Sequence, residues 1–309
     1  MVRQFREASM QACFPQRVPE LLCWAENYLE KQGIYKPRLN AELMLSHCSG
    51  RSRVDLYAHP EMEISPEARQ AFIRCVHRRA AREPLQYVTG ISGFRRLELA
   101  VDGRVLIPRP ETEMLVERAL EILREAEGHP LVVDVGTGSG CIALSLAKEH
   151  PEAVVHATDG SGEALQAARE NSSRLGMEGL VEFHLGDLLR ALPAWMLGRI
   201  DLVVSNPPYV READFPALPP EVREHEPRAA LVAGPRGTEV HARLVDQSLS
   251  WLSPGGRLLM ECGEDQVEEV CRLMESAGYA EVSCGKDLTG RPRMVEGKRV
   301  RYAGTRERR

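Results

Sequence analysis

Four consecutive residues carry the clearest chemistry in this chain: Asn206-Pro207-Pro208-Tyr209, directly after the largely apolar run Asp201-Leu202-Val203-Val204-Ser205. The two prolines stiffen the loop and remove two backbone donors, which leaves nearby carbonyls free to accept. The side-chain oxygen of Asn206 and the carbonyl of Pro207 then suit the two hydrogens of a planar –NH2 group. Tyr209 offers a flat face to the same group. None of the four is a nucleophile or a strong base. The loop therefore reads as a holder for a conjugated amine, with Asn206, Pro207 and Tyr209 as the catalytic set and Pro208 completing the substrate contact. Its purely structural reading is a proline-rich turn after a strand.

A second group lies upstream, where Val132-Val133-Asp134-Val135 runs into Gly136-Thr137-Gly138-Ser139-Gly140. Glycine lets backbone amides approach a ligand with no side chain in the way, at the edge where doubly wound sheets bind cofactors. The spacing is GxGxG and not the GxGxxG of dinucleotide sites, which disfavours a nicotinamide. Asp159 ends the next apolar run, nineteen residues after Gly140. An acid at that point accepts from ribose hydroxyls, and it equally suits the cap of the helix that follows. Asp187 reads either as a partner for an adenine amine or as a turn residue.

These features together imply an adenosine-containing cofactor. A conjugated nitrogen is a poor nucleophile because its lone pair is delocalised. Two acceptors on its hydrogens raise electron density at nitrogen and align it for in-line displacement. The chemistry that fits is methyl transfer from S-adenosyl-L-methionine.

The elements that must position these loops follow an alternating pattern after residue 110. Apolar strand-like runs at 131–135, 153–158, 181–185, 200–205 and 257–261 alternate with helical stretches at 111–126, 141–149, 163–175 and 240–252. That rhythm predicts an α/β, Rossmann-like domain with a doubly wound, mostly parallel sheet over 111–309. Residues 1–83 predict a small all-helical domain. Leu21, Leu22, Trp24, Ala25, Tyr28 and Leu29 form one apolar stripe, and Pro37 and Pro66 open further helices. In the helix after Pro66, Phe72, Ile73 and Val76 point inward and Arg74, His77, Arg78, Arg79 and Arg82 outward. That basic face is either a solvated surface or a contact for an acidic or RNA-bearing partner. Residues 84–110 read as a β-hairpin linker, with Tyr87-Val88-Thr89-Gly90 and Leu97–Val101 as its strands. The stretch 298–309 is basic and expected to fray.

The 309 residues carry 40 basic and 45 acidic side chains, a net charge of −5, so the whole chain offers no electrostatic reason to hold a polyanion. No apolar run reaches the roughly 20 residues needed to span a bilayer, and no signal core follows the N-terminus. A cytoplasmic location is expected. None of the 8 cysteines forms a CxxC pair, and the 9 histidines show no metal-ligand spacing, so no metal is expected and the thiols read as reduced packing residues.

The chain also resembles the bacterial peptide chain release factor glutamine methyltransferases, the PrmC/HemK family, from about residue 20 to 295. The resemblance is carried by Arg38-Leu39-Asn40-Ala41-Glu42-Leu43-Met44-Leu45, Glu83-Pro84-Leu85-Gln86-Tyr87-Val88-Thr89-Gly90 and Leu106-Ile107-Pro108-Arg109-Pro110-Glu111-Thr112-Glu113. It continues through the Gly136 loop, Ser205-Asn206-Pro207-Pro208-Tyr209, Glu226-Pro227-Arg228-Ala229-Ala230-Leu231 and Lys286-Asp287-Leu288-Thr289-Gly290-Arg291. It implies methylation of the side-chain amide of the glutamine in the Gly-Gly-Gln tip of class-1 release factors, a role in translation termination, and a helical N-terminal domain that docks the substrate. By position, Gly136, Thr137, Gly138, Ser139, Gly140, Asp159, Leu188 and Asn206 would contact S-adenosyl-L-methionine, and Asn206 to Tyr209 would hold the glutamine. Arg109 and Glu111 would lie near the domain junction without a chemical role.

Departures from the family pattern are Leu188 in place of an aromatic, Gly160, Cys262 and the loop Gly234-Pro235-Arg236-Gly237-Thr238. A monomer without a nucleic-acid substrate is expected. The Asn-Pro-Pro-Tyr loop is shared with enzymes that methylate exocyclic amines of adenine or guanine in nucleic acids, which is the main alternative. A nicotinamide oxidoreductase lacks support from the loop, and a non-catalytic adaptor would have no use for both loops.

Overall fold

Proline in the first turn of a helix costs no hydrogen bond, because that N–H has no intrahelical partner. The N-terminal unit uses this in α1 (Val18–Lys31), α2 (Pro37–Ser49) and, after the short α3 (Arg53–Ala58), in α4 (Pro66–Ala80), which Ser65 caps. The computed structural model describes residues 16–300. The chain divides into two units: residues up to Gly90 together with the short helix Pro220–His225, and Ile91–Pro219 together with Glu226 onward. Cys13 and the tail beyond Val300 lie outside the described residues.

In the first unit, Leu21, Leu22, Ala25 and Leu29 are fully buried against Ala41, Met44, Leu45, Phe72 and Val76. The expected outward face of α4 needs correction at Arg79, which is only 7% exposed. Its guanidinium donates to Asn40 Oδ1 (2.9 Å), the Glu83 carbonyl (3.2 Å) and Glu221 Oε1 (3.2 Å), so a buried charge is paired and hydrogen-bonded. Arg82 shares Glu221 at 3.2 Å. Arg79 and Arg82 thus hold the unit together, while Arg74, His77 and Arg78 are exposed as expected.

A second correction concerns residues 87–90, expected as a strand. They lie in or directly after a short helix, α5 (Leu85–Thr89). Pro84 precedes it, Gly90 ends it at φ +73°, and Arg78 donates to the carbonyls of Tyr87 (3.1 Å) and Val88 (3.2 Å), which a helix end leaves orphaned. The thiols of Cys48 and Cys75 lie 3.6 Å apart, and the cysteines among the described residues are free.

The second unit opens with an antiparallel hairpin, β1 (Ile91–Phe94) and β2 (Leu97–Ala100), followed by α6 (Pro110–Arg124). Strand and helix then alternate: β3 (Leu131–Val135), α7 (Cys141–Glu149), β4 (Val154–Asp159), α8 (Gly162–Arg174), β5 (Val181–Leu185) and β6 (Ile200–Ser205). A two-stranded pair, β7 (Val210–Arg211) and β8 (Val232–Gly234), precedes α9 (Glu239–Trp251), β9 (Leu252–Glu261), α10 (Val267–Ala277), β10 (Tyr279–Lys286) and β11 (Pro292–Arg299).

The seven-stranded sheet runs β10-β11-β9-β6-β3-β4-β5. Strands β9, β6, β3, β4 and β5 are parallel, and β10 and β11 add an antiparallel edge. β3 is buried along its whole length, as a central parallel strand covered on both faces should be. Of the stretch 298–309 expected to fray, Lys298 and Arg299 are instead paired in the sheet as the end of β11, and residues 301–309 lie outside the described residues. Among the described residues, no helix is long and apolar enough to cross a membrane.

Candidate active site

The chain moves outward from β3 to β4 and β5, then crosses back to β6 on the other side of β3. That reversal is the point at which doubly wound sheets bind ligands, outside the carboxyl ends of the strands. Val135 pairs with both Ser205 and Thr158, so Gly136, Asn206 and Asp159 leave neighbouring strands side by side. Ser205 Oγ donates to the Val135 carbonyl (2.7 Å), which locks the two strand ends together.

The glycine loop is held from below and open above. Gly136 and Thr137 both donate to the Thr158 carbonyl, at 2.8 and 3.0 Å. The Thr137 hydroxyl donates to Asp134 Oδ2 (2.7 Å), which also accepts from the Ala143 N–H (3.1 Å). Asp134 is fully buried, its Oδ1 has no protein partner, and burial pushes its carboxyl up to about 7. A Cβ at Gly136 or Gly138 would meet nothing within 4 Å. One at Gly140 would press on Leu144 at 3.0 Å, so the third glycine serves packing at the start of α7, beside the buried Ser139.

Asp159 accepts from the Gly138 N–H through Oδ2 (2.9 Å) and from the Ser161 N–H through Oδ1 (2.8 Å). Ser161, not Asp159, caps α8 by accepting from Ala164. Asp187 precedes a 3-10 turn over Leu188–Ala191 and pairs with Arg243. Leu188 takes a left-handed conformation at φ +51°, strained for a branched side chain, and packs its half-buried chain on the core.

Beside this loop, Asn206 donates from Nδ2 to Thr112 Oγ1 (3.0 Å), and Thr112 donates in turn to Glu261 Oε2 (2.8 Å). Glu261 ends β9 one residue past the Met260–Ser205 pair, which brings it next to Asn206. It is 2% exposed, and burial pushes its carboxyl up to about 7. The Tyr209 hydroxyl stands 3.4 Å from Glu261 Oε1, and burial raises the phenol well above its ordinary range. The Tyr209 carbonyl accepts from Gln266 Nε2 (2.8 Å). Pro207 is buried and Pro208 half-buried. The four loop residues are thus pinned at both ends.

The structure therefore gathers the Gly136–Gly140 loop, Asp159 and the Asn206–Tyr209 loop at one edge, with Leu188 following β5 at the same edge. Arg109 sits elsewhere in its role: it pairs with the buried Glu226 (2.6 Å), which also accepts from the Ile107 N–H (3.2 Å) and so fixes the loop before α6. Glu111 is exposed. Sequence reasoning gave no part to Asp134, Thr112, Glu261 or Gln266. The signals were a lone acid inside an apolar strand, for Asp134, and an acid ending the apolar run 258–260, for Glu261.

One cluster was invisible to linear spacing. Strand register puts His156, Glu182 and His184 on one face of β4 and β5. The rings of His156 and His184 are nearly parallel, with Nδ1 and Nε2 2.9 Å apart, the arrangement of one imidazole donating to the other. Burial holds both pKa values down.

Residues 20–90 match the family model described as PrmC N-terminal domain, and residues 112–217 match Methyltransferase small domain. A release factor glutamine methyltransferase of Geobacter sulfurreducens is 40% identical over 91% of this chain and 96% of its own length. One of Deinococcus radiodurans is 42% identical over 91% and 98%. Among solved structures, a release factor-specific protein-(glutamine-N5) methyltransferase of Alicyclobacillus acidocaldarius is 29% identical, covering 63% of this chain and 94% of that one, with a TM-score of 0.39. Identity at this level over nearly the whole of both chains leaves one conclusion: the chain belongs to the release factor glutamine methyltransferase family.

Proposed function

We propose that this methyltransferase transfers the methyl group of S-adenosyl-L-methionine to the side-chain amide nitrogen of the glutamine in the Gly-Gly-Gln tip of class-1 peptide chain release factors, modulating translation termination. The observation that carries the reading is the pairing of Val135 with Ser205, which sets a glycine loop beside the Asn206 loop. On this reading the enzyme acts as a cytoplasmic monomer on a protein and not on nucleic acid, and the helical N-terminal unit docks the release factor.

The residues fit the cofactor. Asp134 Oδ1 is a buried acceptor without a partner beside the loop, and the space over Gly136 and Gly138 is open. Asp159 keeps lone pairs beyond its two backbone bonds, enough for ribose hydroxyls. Gly136 to Gly140, Asp159, Leu188 and Asn206 would hold the group, which supplies a methyl carried on a positively charged sulfur.

The chain's own part is placement. Asn206 Oδ1 and the Pro207 carbonyl accept the two hydrogens of the glutamine amide, and the Tyr209 ring lies along its plane. The two acceptors oppose the charge that builds on nitrogen and hold its lone pair in line with the incoming methyl. Rigid prolines lower the cost of holding that geometry. By comparison with other single preorganised polar groups, removing the Asn206 side chain costs on the order of 3 kcal/mol of transition-state stabilisation. The methylated nitrogen is acidic, and its proton leaves to water.

The test is mass spectrometry of the release-factor tip after incubation of intact release factor with the enzyme and isotopically labelled S-adenosyl-L-methionine. One added methyl on the glutamine side chain is expected, with none in RNA incubated in parallel. Label in RNA with an unmodified glutamine overturns the reading in favour of a base methyltransferase. Donor binding by calorimetry with no methyl on either substrate favours the adaptor.

A further inference from the structure

We propose that Thr112 and Glu261 are positioning residues that fix which way the Asn206 amide faces, so that its oxygen and not its nitrogen meets the substrate. The inference rests on the reading of Asn206 given above and adds the residues that make its orientation single-valued.

A carboxamide presents two ends of nearly the same shape and opposite hydrogen-bonding sense. Turned by half a rotation, Asn206 would offer donors to the two hydrogens of the glutamine amide, and the interaction would change from attraction to repulsion. Something must choose between the two orientations. In the structure Nδ2 of Asn206 donates to Thr112 Oγ1 at 3.0 Å. Thr112 can accept there only because its single hydroxyl proton is committed elsewhere, to Glu261 Oε2 at 2.8 Å.

Glu261 sets the direction of that chain. In the structure both its oxygens accept, Oε2 from Thr112 and Oε1 from the Tyr209 hydroxyl, as a carboxylate must. With Glu261 accepting, the Thr112 proton points at Glu261, its lone pair points at Asn206, and Asn206 must answer with its –NH2. Thr112 and Glu261 are both 2% exposed, so no solvent water competes for these bonds. The other oxygen of Glu261 faces the Tyr209 hydroxyl (3.4 Å), which joins the first and last residues of the Asn-Pro-Pro-Tyr loop to one buried group. Glu261 touches neither substrate nor cofactor in this account; it acts through Thr112.

A purely structural role for Thr112 would cost stability and nothing specific in turnover. Thr112→Val keeps the shape and removes the hydroxyl, so the amide is free to turn. The expected result is a fall in kcat of roughly 10- to 100-fold, the size of one misdirected polar group, with KM for release factor and donor affinity within about twofold. Thr112→Ser, which keeps the hydroxyl, restores most of the rate. Because Thr112 acts through Asn206, adding Thr112→Val to Asn206→Ala slows the enzyme no further.

The proposal is overturned if Thr112→Val turns over like wild type, if Thr112→Ser is as slow as Thr112→Val, or if the two losses multiply in the double variant. Should Thr112→Val fail to fold by thermal melting, Thr112→Ala takes its place in the same cycle. Wild-type methylation of the release-factor glutamine, measured in parallel, separates the two levels: its absence removes the functional reading, whereas its presence with a fully active Thr112→Val removes only the positioning role.

Discussion

The backbone N–H of Gly138 points at Asp159 Oδ2 from 2.9 Å, which ties the loop after β3 to the tip of β4 through a charge-assisted bond. On the proposed reading, Asp159→Ala removes that anchor and the ribose acceptor at once. A hydrogen bond to a charged group contributes about 1.5–3 kcal/mol, so the donor Kd should rise roughly 10- to 100-fold. Turnover at saturating donor should change far less, because Asn206 is untouched. Titration calorimetry reads the first number and steady-state kinetics the second. An unchanged Kd would take Asp159 out of the cofactor site.

Gly237 lies against the end of the Asn206–Tyr209 loop. It adopts φ +81°, and a Cβ there would stand 2.6 Å from the Tyr209 carbonyl and 2.4 Å from Gln266 Nε2, the two atoms whose bond pins Tyr209. Gly237→Ala therefore has no cheap relaxation: either Tyr209 shifts or Gln266 lets go of it. The expected outcome is a loss of about 1–2 kcal/mol in stability from backbone strain and a fall in kcat/KM larger than that of Gly136→Ala on the substrate side. A Gly237→Ala enzyme with wild-type kcat/KM would mean that the Tyr209 carbonyl needs no fixing.

How much of this was legible beforehand depends on distance along the chain. The strand 131–135 and the helix 141–149 stand where their apolar spacing put them, and the loops that follow β3, β4 and β6 leave the sheet at one edge. Local patterns encode local structure, and the carboxyl edge of a parallel sheet collects consecutive loops automatically. What escaped notice was every partner supplied from afar. Thr112 is 94 residues from Asn206, and Glu261 is 149 residues from Thr112, so no window of sequence contains the relay. The helix Leu85–Thr89 escaped for a related reason. Five residues show no helical period, and the donors that satisfy its carbonyls come from Arg78 on the preceding helix.

Two buried carboxyls give the stability of the protein a particular pH dependence. Asp134 and Glu261 are both held up at about 7 by burial. A carboxyl with a raised folded pKa binds its proton more tightly in the native state, so its contribution is most favourable at low pH and is lost as pH rises from the ordinary carboxylate range toward 7. Glu261→Gln and Asp134→Asn imitate the protonated forms. Relative to wild type, each variant should gain on the order of 3 kcal/mol in stability between pH 5 and pH 8, with a smaller part of the gain already present at pH 5. Thermal melts of the three proteins at the two pH values test this through the difference between variant and wild type, which cancels the other titrating groups. A difference that stays constant across the range would show that both carboxyls ionise as freely in the fold as out of it.

Arg79 differs from its neighbours on α4 in being buried, and the consequence is measurable. Its guanidinium serves Asn40, the Glu83 carbonyl and Glu221 together, three directions that a planar fork can reach and an ammonium cannot. Arg79→Ala leaves a buried amide oxygen and carbonyl without their donor and Glu221 with Arg82 alone. The expected cost is on the order of 3 kcal/mol, less than a buried charge left wholly unpaired, and Arg79→Lys should recover little of it. Exposed Arg74 on the same helix is the control, with a change within about 0.5 kcal/mol on Arg74→Ala. Urea unfolding of the full chain, followed by a signal from Trp24 in the N-terminal unit so that the two units are not averaged, gives both numbers. Equal midpoints for Arg79→Ala and Arg74→Ala would return Arg79 to the solvated surface where its helical position alone had put it.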